Sequence, residues 1–341
     1  MRPPGWSFDP GLAPGPETDR IRALLDGAAA AGAETLSEPG AIPPGDDAAA
    51  IDVPPGSKLV VSSDASVEGI HFRREWMTWE VIGYRATAAA FSDLAAMAAA
   101  PLGLLVSLAV PPELDVAAIG ALGSGLGAAA AYAGGAVLGG DIVASPGPVM
   151  LDVVVLGHTP RPVRRGAGRA GDELWVTGRL GAAAAAVADL AAGLEPTPAA
   201  RIAFERPRPR IREAVWLAAR GVLSAAIDLS DGLARDARHL AHASGVAAWI
   251  EWAWLPIASP VTPYLAAPAG RRLVLSGGED YEILFAAPAG AAGPVRDEFE
   301  DRFDVPITRV GGLARGEGLE IREPDGSTAS AGSGYDHFQR S

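Results

Sequence analysis

The chain has 341 residues, 49% hydrophobic and 20% charged, and its 28 Lys and Arg against 41 Asp and Glu leave a formal net charge of −13. That composition excludes a disordered chain, and the acidic balance argues against a basic surface for nucleic acid. With no cysteine there is no disulfide framework, thiolate metal centre or cysteine nucleophile.

The length is roughly twice a typical domain of about 150 residues, so two domains are expected. Residues 1–15 are rich in Pro and Gly and lack the apolar core of a signal peptide. The apolar runs 102–110 and 151–156 fall far short of the about 20 residues that span a bilayer. The expectation is a cytoplasmic protein with neither membrane nor nucleic acid as partner.

Residues 17–32 read as an amphipathic helix with Ile21, Leu24 and Leu25 at helical spacing, and a Pro/Gly-rich loop then delivers Asp46 and Asp47. The β-branched run 59–62 ends in Ser63-Asp64, which puts that aspartate at the C-terminal end of a strand. Next come a long alanine-rich helix over 79–100 broken by Pro101, a strand over 102–110 and a helix over 114–133. A strand over 136–138 leads into Gly139-Gly140-Asp141, and another covers 149–157. Residues 158–171, rich in Pro, Gly and Arg, form the linker, so the domains divide at 1–158 and 159–341. Beyond it lie a strand (173–177), a helix (181–192), a proline-punctuated connection (195–210), a strand (225–229), a helix (232–243) and strands over 247–251 and 281–286. Paired strands with helices on one side make two α+β domains the expected fold class.

Short acidic motifs recur along this frame. On its helix Asp93 has Ala89, Ala90, Ala96 and Met97 three and four residues away, so its carboxylate projects from an apolar stripe unless the helix turns it to water. A buried carboxylate calls for a partner charge or a metal. Asp228-Leu229-Ser230-Asp231-Gly232 joins a strand to a helix, where Ser230 or Asp231 suits an N-cap and the exposed N–H groups suit phosphate. A cap needs one acid, and two stand there. Taken singly, each motif is also an ordinary turn. Two carboxylates about 4 Å apart repel by roughly 4 kcal/mol at an effective dielectric of 20, so several gathered in one cleft require divalent cations. The run Gly123-Ser124-Gly125-Leu126-Gly127 lies inside a helical pattern and does not read as a dinucleotide fingerprint. His239 and His242, one helical turn apart without a zinc pattern around them, read as surface residues.

In order, the motifs are Pro44-Gly45-Asp46-Asp47-Ala48, Ser62-Ser63-Asp64, Glu68-Gly69-Ile70-His71-Phe72, Phe91-Ser92-Asp93-Leu94-Ala95-Ala96-Met97 and Leu138-Gly139-Gly140-Asp141, followed by Ala226-Ile227-Asp228-Leu229-Ser230-Asp231-Gly232, Leu275-Ser276-Gly277-Gly278-Glu279-Asp280-Tyr281-Glu282 and Gly334-Tyr335-Asp336-His337-Phe338. Over nearly the whole chain this set resembles the thiamine-monophosphate kinase family of the aminoimidazole ribonucleotide synthetase-like superfamily. The resemblance implies a two-domain fold, with N-terminal domain strands pairing across a homodimer, a C-terminal α+β domain, and ATP, several Mg²⁺ ions and thiamine monophosphate meeting in a cleft. It implies Mg²⁺ ligands at Asp47, Ser62, Ser63, Asp64, Asp93, Asp141, Asp228 and Asp231, with Asp47, Asp64, Asp93 and Asp231 as the catalytic set. It implies nucleotide contacts at Gly140, Asp141, Arg165 and Ser230, and substrate contacts at His71, Glu279 and Tyr335. Serine at 63 keeps a hydroxyl where the family commonly has Thr, whereas Ile142 loses one, and Arg164 stands beside Arg165. The implied reaction is direct in-line phosphoryl transfer from ATP to thiamine monophosphate. The alternatives are an aminoimidazole ribonucleotide synthetase-like ligase and a non-catalytic nucleotide-binding dimer.

Overall fold

The computed structural model describes residues 15–34, 41–42, 44 and 48–329, so Asp46, Asp47 and Tyr335 lie outside the described residues. The chain divides into two compact units, Met1–Leu94 with Ala99–Arg161 and Ala95–Ala98 with Pro162–Ser341.

The first unit runs α1 (Pro16–Ala30), β1 (Lys58–Val67), α2 (Trp79–Ala96), β2 (Ala100–Val110), α3 (Val116–Ala133), β3 (Ala136–Ala144) and β4 (Met150–Thr159). Its sheet has the order β1-β4-β2-β3, antiparallel except for the parallel β2–β3 pair. Strand alternation sends Leu151, Val153 and Val155 of β4 into the core, while Asp152, Val154 and Leu156 take the other face. On that second face Leu59 is 49% exposed, Val61 55% and Val143 49%.

β1, β2 and β3 extend beyond their sequence-based bounds, as β4 does at its C-terminal end. β1 continues through Ser62-Ser63-Asp64 to Val67, because pairing with β4, Asp64 opposite Val153, overrides the low strand propensity of those small polar residues. β2 begins at Ala100 and takes in Pro101, whose missing N–H is absorbed by the register shift between Pro101 and Gly103. β3 carries Gly139-Gly140-Asp141 inside the strand, with Asp141 opposite Ser107.

α3 is the one helix among the described residues long and apolar enough to cross a membrane, and half of it is buried within the fold. Its glycines seat neighbouring helices. A Cβ on Gly123 would meet the Leu24 carbonyl at 2.0 Å, and one on Gly125 the Glu80 carbonyl at 1.8 Å.

The second unit contains β5 (Glu173–Thr177), α4 (Ala182–Ala191), α5 (Pro198–Glu205), α6 (Ile211–Ala219), β6 (Ala225–Asp228), α7 (Leu233–Ser244), β7 (Ala247–Glu251), α8 (Pro268–Ser276), β8 (Ile283–Ala287), α9 (Arg296–Phe303), β9 (Ile307–Ala314), β10 (Leu319–Arg322) and β11 (Thr328–Ala329). Its sheet follows the order β11-β10-β7-β9-β5-β8-β6, parallel only between β10 and β7. The core joins Leu174 and Val176 of β5, Ile227 of β6 and Leu284 of β8 to Leu233, Ala237 and Leu240 of α7. β6 therefore ends with Asp228 at the rim of that core, and α7 begins five residues later.

Candidate functional site

In the first unit the period of two splits neighbouring hydroxyls between the faces of β1. Ser62 Oγ donates to Asp93 Oδ2 at 2.5 Å, from strand to α2, while Ser63 Oγ donates to Asp152 Oδ1 at 2.6 Å, toward β4. Asp93 is half-buried on the apolar side of its helix, as the stripe around it implies. Asp64 is the electrostatic focus. Burial, then Asp93, then Asp152 push its carboxyl up to about 6. Asp141 shares a cross-strand row with Ser107 and Asp152, so two strand spacings, about 10 Å, separate the two acids. Gly140 is needed where it stands, since a Cβ there would meet the Val106 carbonyl at 1.9 Å. His71 accepts the Val67 N–H at its Nδ1 at 3.1 Å.

The second unit carries the acidic turn. Neither Ser230 nor Asp231 caps α7: Gly232, at φ 104°, takes the cap position with no side-chain hydrogen bond, and the Asp231 N–H instead meets Asp236 Oδ2 at 3.2 Å. Arg235 Nε lies 3.4 Å from Asp231 Oδ2. Burial, Asp228 and Asp231 push Asp236 up to about 8, and the Arg165 guanidinium opposes them, which brings that arginine within the field of the turn. Asp236 and Asp152 were not singled out from sequence. Each had a signal: Asp236 is an acid on the apolar face of a helix and Asp152 the one acid in the run 149–157. His239 and His242 are exposed, as expected.

Residues 278–282 are bonded onto this turn. Glu279 N–H donates to Ser230 O and Tyr281 N–H to Leu229 O, each at 2.9 Å, and Leu229 N–H donates to Glu282 O at 2.8 Å. Gly278, at φ 67°, comes so close that a Cβ would meet the Ser230 carbonyl at 2.5 Å. Glu279 and Tyr281 hold left-handed φ values of 60° and 48°, a cost of about 1–2 kcal/mol each. Beneath them Glu282 is buried in a bidentate pair with Arg210 at 2.6 Å and accepts from Thr177 Oγ1, also at 2.6 Å.

The carboxylates and hydroxyls among these groups are oxygen donors, the ligand set of hard cations. Among the described residues no three His, Asp or Glu side chains already stand together as a metal site. The acids are nonetheless crowded enough that Asp93 and Asp152 both raise Asp64, and a divalent cation is the group that relieves such repulsion. The donor set therefore fits Mg²⁺.

Comparison with known proteins bears on this arrangement. Residues 45–159 match the family model for AIR synthase related protein, N-terminal domain, and residues 169–294 the corresponding C-terminal domain. Thiamine-monophosphate kinase of Salmonella typhimurium (strain LT2) is 34% identical over 300 residues, 86% of this chain and 91% of that protein. The crystal structure of thiamine-monophosphate kinase from Stenotrophomonas maltophilia K279a superposes with a TM-score of 0.79 at 33% identity, covering 90% of this chain and 97% of that one. AaThiL complexed with AMPPCP and TMP gives a TM-score of 0.73 at 30% identity, covering 86% and 91%. With both domain models matched in order and a relative matched over nine-tenths of its length, the chain belongs to the thiamine-monophosphate kinase family of AIR synthase related proteins.

Proposed function

We propose that the chain transfers the γ-phosphoryl group of ATP to the phosphate of thiamine monophosphate, giving thiamine diphosphate and ADP. The bond from the γ-phosphorus to the β,γ-bridging oxygen breaks as a substrate phosphate oxygen bonds to that phosphorus. The observation that carries this reading is the crowding of Asp93 and Asp152 about Asp64, with Ser62 bonded to Asp93 at the strand–helix contact and Ser63 to Asp152 on the other face of the sheet, in a chain 34% identical to a thiamine-monophosphate kinase.

The nucleophile is an anion. A phosphate monoester with a second pKa near 6 is largely ionised at neutral pH, so no strong base is required. That accords with a site rich in acids. Catalysis then rests on alignment and on neutralising charge. Bound Mg²⁺ would supply positive charge that neutralises the phosphates. Ser62, Ser63, Asp64 and Asp93 would hold it in the first unit, with Asp141 and, outside the described residues, Asp47. Asp228 and Asp231 would hold it in the second. Gly140, Ser230 and Arg165 would meet the nucleotide. His71 would contact the substrate phosphate, Glu279 would accept from the aminopyrimidine, and Tyr335 would stack on the cationic thiazolium.

A homodimer belongs to the same reading. Leu59, Val61, Leu105, Val143 and Met150 are exposed on β1–β4, an apolar face of the kind that marks a protein interface. The cytoplasm, where ATP is supplied, is the compartment proposed. ADP release measured with thiamine monophosphate, with formylglycinamidine ribonucleotide and with neither, each with Mg²⁺ or with chelator, tests the proposal. Release that needs both thiamine monophosphate and Mg²⁺ is expected. Turnover with the ribonucleotide, or with no acceptor, would overturn it.

A further inference from the structure

Asp280 sits between the two left-handed residues of the 278–282 segment. Its Oδ1 accepts the Gly181 N–H at 2.8 Å, and Gly181 is the N-cap residue of α4. Its Oδ2 is sealed from solvent and has no hydrogen-bond partner. The main-chain bonds of Glu279 and Tyr281 run to the acidic turn. The segment is thus held on both sides of Asp280: main chain toward Ser230 and Leu229, side chain toward the helix.

We infer that Asp280 is a positioning residue, which fixes Glu279 in its left-handed conformation by anchoring the segment to the N-terminus of α4, and so sets the affinity for the organic part of the acceptor. A non-glycine residue with φ 60° persists only where its surroundings over-determine it. Three main-chain bonds to the turn restrain the segment along one edge, and Glu282 ties its C-terminal end to Arg210 and Thr177. The Asp280–Gly181 bond supplies the restraint on the opposite side. Burial, with Glu282 and Glu279 nearby, raises the carboxyl well above its usual range. Asp280 touches neither phosphate nor metal in this account; it acts through Glu279. The inference rests on Glu279 reading the acceptor, as proposed above.

The test is a double-mutant cycle in the full-length enzyme, with KM for thiamine monophosphate and for ATP measured in Glu279→Ala, Asp280→Ala and the double variant. Amide exchange of Gly181 and Glu279 is followed in each. Asp280→Ala is expected to raise KM for thiamine monophosphate about tenfold and KM for ATP less than about twofold, and to add less than about twofold in the Glu279→Ala background. Full additivity, or equal rises in both KM values, would overturn the inference. If Glu279→Ala alone leaves KM unchanged, the substrate reading of Glu279 fails and this inference with it. If only Asp280→Ala leaves it unchanged, the positioning role alone fails. Should Asp280→Ala not fold, Asp280→Asn decides, since it keeps the acceptor oxygen and the volume. Kinetics within about twofold of the wild type with Gly181 still protected are expected. A KM raised as in Glu279→Ala despite that protection would overturn the inference.

Discussion

Ser62 and Ser63 are adjacent, and their hydroxyls serve carboxylates on different elements, Asp93 on α2 and Asp152 on β4. A hydroxyl that orients a ligand commonly changes metal affinity by 10–100-fold when removed. Ser62→Ala is therefore expected to raise the Mg²⁺ concentration for half-maximal activity by about tenfold while the melting temperature stays nearly constant. A Mg²⁺ titration of initial rates checks it. Asp280 gives a pH prediction of known sign. Its carboxyl is held above the ordinary value, chiefly by burial, so the folded protein binds the proton more tightly than the unfolded chain. Stability from this residue is fully present below the ordinary aspartate pKa of about 4 and is lost as pH rises through the folded value. Asp280→Asn should flatten that decline, as thermal melts across pH will show. The acids at 64, 93, 228 and 231 could be picked out from their flanking residues. Asp152 stood out only as the lone acid of an apolar run; what brings it into the cluster is register, Ala65 opposite Asp152, and a single strand carries no register.

At the scale of elements, periodicity located β5 and β7 at their observed ends and α3 to within two residues. It missed α6, α8 and α9 for reasons visible in their residues. α9 (Arg296–Phe303) is almost wholly charged, and only Phe299 is buried, edge-on to Trp216 at 5.7 Å between centroids, so it shows almost no helical stripe. α8 opens with Pro268 and contains Gly270, which read as turn punctuation. The connection over 195–210 proved to contain α5, with Thr197 as its N-cap and Pro198 at its first turn. Arg210, at the end of that connection, carries the weight for the loop above it. Arg210→Ala would leave Glu282 charged, buried and half satisfied, and removing one partner of a buried ion pair costs about 3–5 kcal/mol. Urea unfolding should register a loss of that size, and Arg210→Lys, which cannot form the two-pronged pair, should recover only part of it.

For the whole molecule, composition and motif order were enough to reach the two-unit α+β plan and the family. What they left open was the sheet of the first unit, which covers one face with helices and leaves Val61 55% exposed on the other. That pattern is set by strand order and can be read only once β4 is known to lie between β1 and β2. Val61→Asp on this face is expected to convert the proposed dimer to monomer, with sedimentation velocity as the measurement. An unchanged dimer would place the interface elsewhere.

The central claim is that the acids of this chain serve a direct transfer of phosphate from ATP to thiamine monophosphate. A single-turnover reaction with γ-labelled ATP, thiamine monophosphate and Mg²⁺ tests it most directly. The label should pass into thiamine diphosphate without appearing on the protein, and the transfer should fail in both Asp93→Ala and Asp231→Ala. Label recovered as inorganic phosphate or as a phosphoprotein, or undiminished transfer in both variants, would contradict the account.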